Sequence, residues 1–231
     1  MASITKEKTL EIVRVMLKTT IEPVIDRILH VAIEVFAEHG FRDTTIREIC
    51  KRANVNVASI NYYFRRKEAL YTQALSFAFH EANQLYPQDS ILNKALPPEQ
   101  RLSLFIDNFL HKLLDNSHLG LHSKLITREI TDPTNALNGI IATAIAPQIA
   151  LLQEIIQPIL GNITNTTIVH RCLLSIFGQC LMFKHSRSII DHLYPELIAD
   201  DLAIKACAEH IAQFSLIALT QLAQQQNNSI S

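Results

Sequence analysis

The sequence predicts an all-α protein, with an N-terminal three-helix unit that contains a helix-turn-helix and a larger helical domain behind it. Three observations carry this. Apolar residues recur at helical spacing, and no strand-like alternation survives for more than a few positions. A composition that is 48% hydrophobic with five glycines leaves long uninterrupted segments and enough apolar surface for a large core. The breaks fall at turn residues: Gly40, Asn54 to Asn56, Pro87, Pro97-Pro98, Asp115-Asn116-Ser117, Asp132-Pro133, Gly161-Asn162 and Tyr194-Pro195.

Residues 1–20 form an extension. Its stretch 5–19 mixes apolar and charged residues at roughly helical spacing, which predicts an extra helix; the alternative is a basic arm reaching a minor groove. Glu7 and Glu11 dilute the lysines and favour the helix. Glu22-Pro23 then reads as a first helical turn, Ile25, Ile28, Leu29, Ala32, Val35 and Phe36 as the inward stripe, and Gly40 as a left-handed cap. Thr45 with Glu48 has capping-box spacing for the next helix, and Thr44 is placed equally well to cap it. Ile46, Ile49, Cys50 and Ala53 keep the period until Asn54, a residue type that tolerates the left-handed conformation of a tight turn. Asn56 is placed to cap the helix carrying Ile60 and Phe64. From Lys67 a longer helix runs to about Tyr86 and is stopped by Pro87. Residues 87–98 read as a linker, and helices are expected at about 98–116, 119–131, 134–160, 165–190 and 196–225.

If Ile60 and Phe64 point inward, Val57, Ala58, Asn61 and Tyr62 lie on the opposite side, with Ser59 at the edge. That face is small, polar and aromatic and carries no acid, which suits a major groove, where Asn bonds adenine edges and small apolar groups meet thymine methyls. Arg47, Lys51, Arg52, Arg65, Arg66 and Lys67 flank it as phosphate-facing cations. Charge is divided accordingly. Residues 1–71 hold twelve Lys and Arg against nine Asp and Glu, a net of +3, and residues 72–231 hold nine against thirteen, a net of −4.

The stretch from Ile28 to Tyr71 carries Phe36-Ala37, Gly40-Phe41, Thr44-Thr45, Ala53-Asn54-Val55-Asn56, Tyr63-Phe64 and Lys67-Glu68 in register. In these it resembles the DNA-binding domain of the TetR family of bacterial transcription regulators. Asn54, Asn56, Val57 and Asn61 stand where the family usually has Gly, Ser, Lys and Tyr, and neither the turn nor the cap is broken. Downstream, "TREITDPTNAL", "IIQPILG" and "FGQCLMFKHSR" are similar to the subgroup with a CecR-type C-terminal domain. The resemblance implies a DNA-binding domain at 21–68 and a ligand-binding and dimerisation domain at 69–231. It implies phosphate contacts from Tyr63, Lys67, Thr44 and Thr45, beside a base-facing set of Val57, Ala58, Ser59, Asn61 and Tyr62. The function so implied is a repressor that binds a near-palindromic operator on double-stranded DNA as a homodimer and is released by a small apolar effector.

In the second domain, the last two helices carry more apolar surface than one buried stripe needs, and Cys172, Ile176, Cys180, Phe214 and Ile217 are the candidates for self-association. The resemblance also implies a pocket between the middle helices, with Phe105, Phe109, His111, His122, Arg128, His170 and Phe177 as candidate lining. His118 and His122 share a helix face at metal-binding spacing, but Gly120 between them weakens the helix and no third ligand stands near in sequence, so no metal is expected. An apolar helix quiets a thiol, and packing is the expected role of Cys172 and Cys180. No G-x-G-x-x-G, P-loop, H-E-x-x-H or G-x-S-x-G occurs, and neither an enzyme nor a cofactor is expected. Residues 1–18 lack a secretory pattern, and residues 133–153 and 211–231, although uncharged, hold Asn, Gln and Pro147 or end in Gln and Asn. A reducing cytoplasm, with no membrane span, is the expected setting.

Overall fold

The computed structural model describes the backbone of residues 2–115 and 118–228, with side chains from Pro23 onward apart from residues 118, 119, 122 and 227. Among these residues every regular element is helical: α1 (Ala2–Asp43), α2 (Ile46–Ala53), α3 (Val57–Phe64), α4 (Lys67–Leu85), α5 (Asp89–Leu92), α6 (Pro98–Leu114), α7 (His118–Thr131), α8 (Leu137–Ile140), α9 (Ala146–Leu160), α10 (Thr166–His185), α11 (Arg187–Leu193) and α12 (Asp201–Asn228). A π turn (Ile141–Ile145) joins α8 to α9, and a 3₁₀ turn (Pro195–Ile198) precedes α12. Pro23 stands inside α1 rather than opening it. The backbone of the extension is the opening part of α1, and its side chains lie outside the described residues.

The chain forms two compact units, the first from residues 1–78 with 124–139, the second from 79–123 with 140–231. The first unit therefore takes in more than the 21–68 expected from sequence: the opening turns of α4 and the second half of α7 belong to it. Its buried residues include the predicted stripe of α1 (Ile28, Ala32, Val35, Phe36), Ile49 of α2, Ile60 and Phe64 of α3, Leu70 of α4 and Leu125 of α7. Each of these side chains larger than alanine contributes about 1.5–3 kcal/mol when removed from water.

Gly40 ends the regular part of α1 with φ +81°, a conformation that favours glycine, and a Cβ there would stand 2.7 Å from the Arg128 guanidinium. Arg128 donates to the carbonyls of Glu38 and His39, each at 3.3 Å, so it satisfies acceptors that the end of a helix leaves open. Its neighbour Glu129 turns the other way and is fully buried, at 0% exposure. The carboxylate accepts from the Tyr71 hydroxyl at 2.8 Å and from the Thr134 amide and hydroxyl at 2.8 and 2.9 Å. Burial first, then this hydrogen bond, raises the Tyr71 phenol above its ordinary range.

The second unit is built around α6, α9, α10 and α12, whose inner faces share Phe105, Ile106, Leu152, Ile156, Ile176 and Ile211 in one cluster. Two expected continuous helices are interrupted. The 134–160 segment passes through the π turn because Pro147 cannot donate to a carbonyl one turn back and its ring crowds it, while the Ala146 amide reaches Ile141, five residues behind. The 165–190 segment breaks at Ser186, which separates α10 from α11. The linker 87–98 also holds a turn, α5, that buries Ile91.

Three helical stretches, Leu137–Leu160, Thr166–His185 and Asp201–Gln226, are long and apolar enough by length and composition to cross a membrane. Here each turns one stripe toward the shared core, through Ile155, Leu173 and Ala208 respectively, as amphipathic packing requires.

Candidate nucleic-acid interface

The helix-turn-helix is built by local signals. The Thr45 hydroxyl accepts from the Glu48 amide at 3.2 Å and caps α2. Asn54 takes the left-handed conformation (φ 52°, ψ 52°) that reverses the chain. Asn56 accepts from the Ser59 amide at 2.7 Å and from the Ser59 hydroxyl at 3.0 Å, which caps α3. The C-terminal carbonyl of α2, at Ala53, is taken by Arg27 Nε from α1 at 3.0 Å, a contact with no signal in the local sequence.

On α3, Ile60 and Phe64 are buried while Val57, Ala58, Asn61 and Tyr62 are exposed, and Tyr62 is 78% accessible with no fold role to account for it. Tyr63 is half-buried and meets Tyr62 edge to face at 5.1 Å between ring centres. This arrangement offers one amide, two phenols and small apolar groups along one outward ridge of α3, the chemistry expected of base-edge readout. Ser59 is half-buried with its hydroxyl committed to the α3 cap, so it supports the ridge.

Three expectations are corrected in this unit. Thr44 is 1% exposed, with its hydroxyl on the Gly40 carbonyl at 2.7 Å; it closes the end of α1 and has no surface to offer a phosphate. Arg52 is held by Glu38 at 2.9 Å and Glu48 at 2.8 Å, so two carboxylates already neutralise it. Arg128 belongs to the end of α1 and not to a pocket in the second unit. Lys67 places its ammonium on the Arg42 carbonyl at 3.1 Å and over the Phe41 ring at 4.6 Å, with two donors left for solvent or phosphate. Arg47, Lys51, Arg65 and Arg66 are exposed beside it.

In the second unit, Phe105, Phe109 and Phe177 come together, with ring centres 5.2 to 6.1 Å apart. His111 turns back on its own helix, with Nδ1 at 2.9 Å from the Asp107 carbonyl. His170 is exposed, which removes it from any interior lining, and the side chain of His122 lies outside the described residues. The self-association set divides. Cys172, Ile176 and Cys180 are buried in the unit's own core, and burial pushes the Cys180 thiol up to about 12. Phe214 and Ile217, at 60% and 64% exposure, face outward, as does Leu174 on α10 at 71%. A hydrogen bond from Gln179 to Ser215 at 3.2 Å sets α10 beside α12, and Leu174, Gly178, Phe214 and Ile217 flank that contact as an apolar surface. Among the described residues no group of three or more His, Cys, Asp or Glu stands together to hold a metal.

A capped helix-turn-helix with a polar, acid-free outer ridge, joined in one chain to a helical bundle, defines a helix-turn-helix transcription regulator. The chain belongs to the TetR family of bacterial regulatory proteins, in the subgroup with the CecR-type C-terminal domain: residues 28–74 match the family's N-terminal model, and residues 98–219 match the C-terminal domain of the HTH-type transcriptional dual regulator CecR. It is similar to YttP of Bacillus subtilis, a probable HTH-type transcriptional regulator, with 31% identity over 134 residues covering 57% of this chain and 62% of YttP, so it spans less than two thirds of that relative. CecR of Shigella flexneri is 29% identical over 175 residues, covering 71% of this chain and 77% of CecR. The crystal structure of the transcriptional regulator FadR from Bacillus subtilis, in complex with stearoyl-CoA, shares the fold with a TM-score of 0.62 at 20% identity, over 82% of this chain and 96% of FadR. The chain thus belongs to a family of transcriptional regulators, and the relatives it matches are regulators rather than enzymes.

Proposed function

We propose that the protein is a cytoplasmic repressor that binds a near-palindromic operator as a homodimer and leaves it when a small molecule occupies the second unit. The exposed ridge of α3 carries this reading: Asn61 and Tyr62 turn to solvent, with Tyr62 resting edge to face on Tyr63, and the flanking lysine and arginines are available for phosphate contacts. Two copies joined through the apolar α10–α12 face would present two such ridges to half-sites one turn of DNA apart, roughly 34–36 Å. An effector acts by population shift, since it lowers occupancy only if it binds the DNA-incompetent arrangement more tightly than the competent one. The structural neighbour FadR, captured with stearoyl-CoA, supports a ligand-responsive second unit.

The test is a mobility-shift titration with DNA from immediately upstream of the protein's own gene, against scrambled DNA, at two salt concentrations. Preferential, salt-sensitive binding of a near-palindrome is expected. Equal affinity for both DNAs at both salts would remove the operator reading. Two substitutions separate the contacts. Asn61→Ala is expected to cost about 1–3 kcal/mol on operator DNA and little on random DNA. Lys67→Ala should weaken both alike and reduce the salt slope by about one.

A further inference from the structure

Only Arg65 and Arg66 join α3 to α4, and both ends of the join are fixed. Phe64, which closes α3, is buried, and Lys67, which opens α4, is held by the Arg42 carbonyl and the Phe41 ring. The chain must therefore change direction within two residues. It does so with a γ-turn: the Arg66 amide donates to the Phe64 carbonyl at 2.7 Å across Arg65, which takes φ 63° and ψ −43°. The Arg65 amide donates in turn to the Asn61 carbonyl at 3.0 Å and closes the last turn of α3.

A γ-turn of this hand is rare and strained, because at positive φ the Cβ of a side chain crowds its own backbone. The other non-glycine residue with positive φ among the described residues is Asn54, whose φ 52° and ψ 52° fall in the left-handed well that asparagine tolerates. Arg65 lies outside that well and lacks the short polar side chain that eases such a conformation. Glycine would make the same turn without the strain. Nothing in the fold requires the arginine: its side chain is exposed, and its guanidinium makes no hydrogen bond or ion pair among the described residues. Strained positions of this kind persist where the surrounding structure holds them, and they gather at functional sites. Arg65 follows the base-facing ridge directly, two residues from both Tyr63 and Lys67, within the 1–71 segment whose net charge is +3.

We propose that Arg65 is a phosphate contact aimed by its γ-turn, and that the strain is retained because it directs the guanidinium at the DNA backbone beside the ridge of α3. The proposal rests on the DNA-binding reading above and separates Arg65 from the other flanking cations by its backbone. Arg66, next to it, has no positive φ and serves as the internal control.

Thermal melts and mobility shifts of the full-length protein carrying Arg65→Gly, Arg65→Ala or Arg65→Lys test it. Arg65→Gly is expected to melt above Arg65→Ala and no lower than wild type, since relief of the turn offsets the extra freedom that glycine gives the unfolded chain. Arg66→Gly has no such strain to relieve and should melt below wild type. On DNA the order reverses. Arg65→Gly and Arg65→Ala should both bind operator and scrambled DNA about tenfold more weakly, with the salt slope reduced by about one for each arginine removed. Arg65→Lys keeps the charge and should keep the slope. An Arg65→Gly protein that melts below Arg65→Ala would show an unstrained turn and overturn the proposal. Affinity lost in the glycine variant but kept in the alanine variant would point to a loosened turn, and affinity lost on operator DNA alone would point to a base edge; either result removes the phosphate contact. The two readings fail separately. Equal wild-type affinity for operator and scrambled DNA removes the operator reading alone, because the salt slope still reports Arg65. A wild-type slope that the glycine and alanine variants share removes the Arg65 contact alone, and a wild type without any salt-dependent binding removes both.

Discussion

A Phe214→Asp, Ile217→Asp double variant is expected to sediment as a monomer and to bind the palindromic operator at least about a hundredfold more weakly, because joining two half-site readers raises avidity by 10²–10⁴. Both side chains are mostly exposed on α12, beside Leu174 of α10, so the carboxylates would enter no core and the monomer should keep its helical content. Binding to a single half-site at low salt should be nearly unchanged. Sedimentation equilibrium and circular dichroism check the two halves of the claim together. A dimer that persists would move the self-association surface elsewhere, and a melted monomer would show that these residues serve the subunit's own fold. Leu174→Asp, on the neighbouring helix, should give the same monomer independently.

The second large effect is expected at Glu129. Replacing it with alanine leaves the buried Tyr71 hydroxyl without an acceptor, at about 1–3 kcal/mol, and frees the half-buried Thr134 amide, which costs less because water can reach it. The expected loss, about 2–4 kcal/mol, is a large share of a typical domain's stability. Tyr71→Phe removes one donor and keeps the carboxylate's other two, so it should cost less. Urea unfolding of the three proteins ranks these values. An alanine variant as stable as Tyr71→Phe would mean that water replaces the missing carboxylate. Since the hydrogen bonds of Glu129 go to Tyr71 and Thr134 and not to α3, the variant's weakened operator binding should track its unfolded fraction and recover on cooling.

The recognition hairpin was legible in the sequence because its determinants are local. The period of Ile60 and Phe64 decides which face of α3 is free, and Asn54 and Asn56 each act within three residues of themselves. Adjacent residues of like chemistry are another matter. Thr44 and Thr45 are equivalent by spacing, and only the approach of the Gly40 carbonyl decides that the first is interior and the second a cap. Arg128 and Glu129 are neighbours in sequence, yet successive helix positions diverge by about 100° and the two reach different elements. On α10, apolar on more than one side, periodicity locates two candidate faces and cannot say which is inner; Cys172, Ile176 and Cys180 proved to be the inner one.

The first unit is not a continuous piece of chain: residues 124–139 complete a body begun by residues 1–78. During synthesis the ribosome must therefore release Thr134 before Glu129 can find both of its hydrogen-bonding partners, at a pace of roughly 5–20 residues per second. Until then the nascent helix-turn-helix lacks Arg128 from the end of α1. A gene fragment that stops at residue 78 encodes the reading head but not the whole body that steadies it, and grafting this specificity onto another regulator requires carrying both segments.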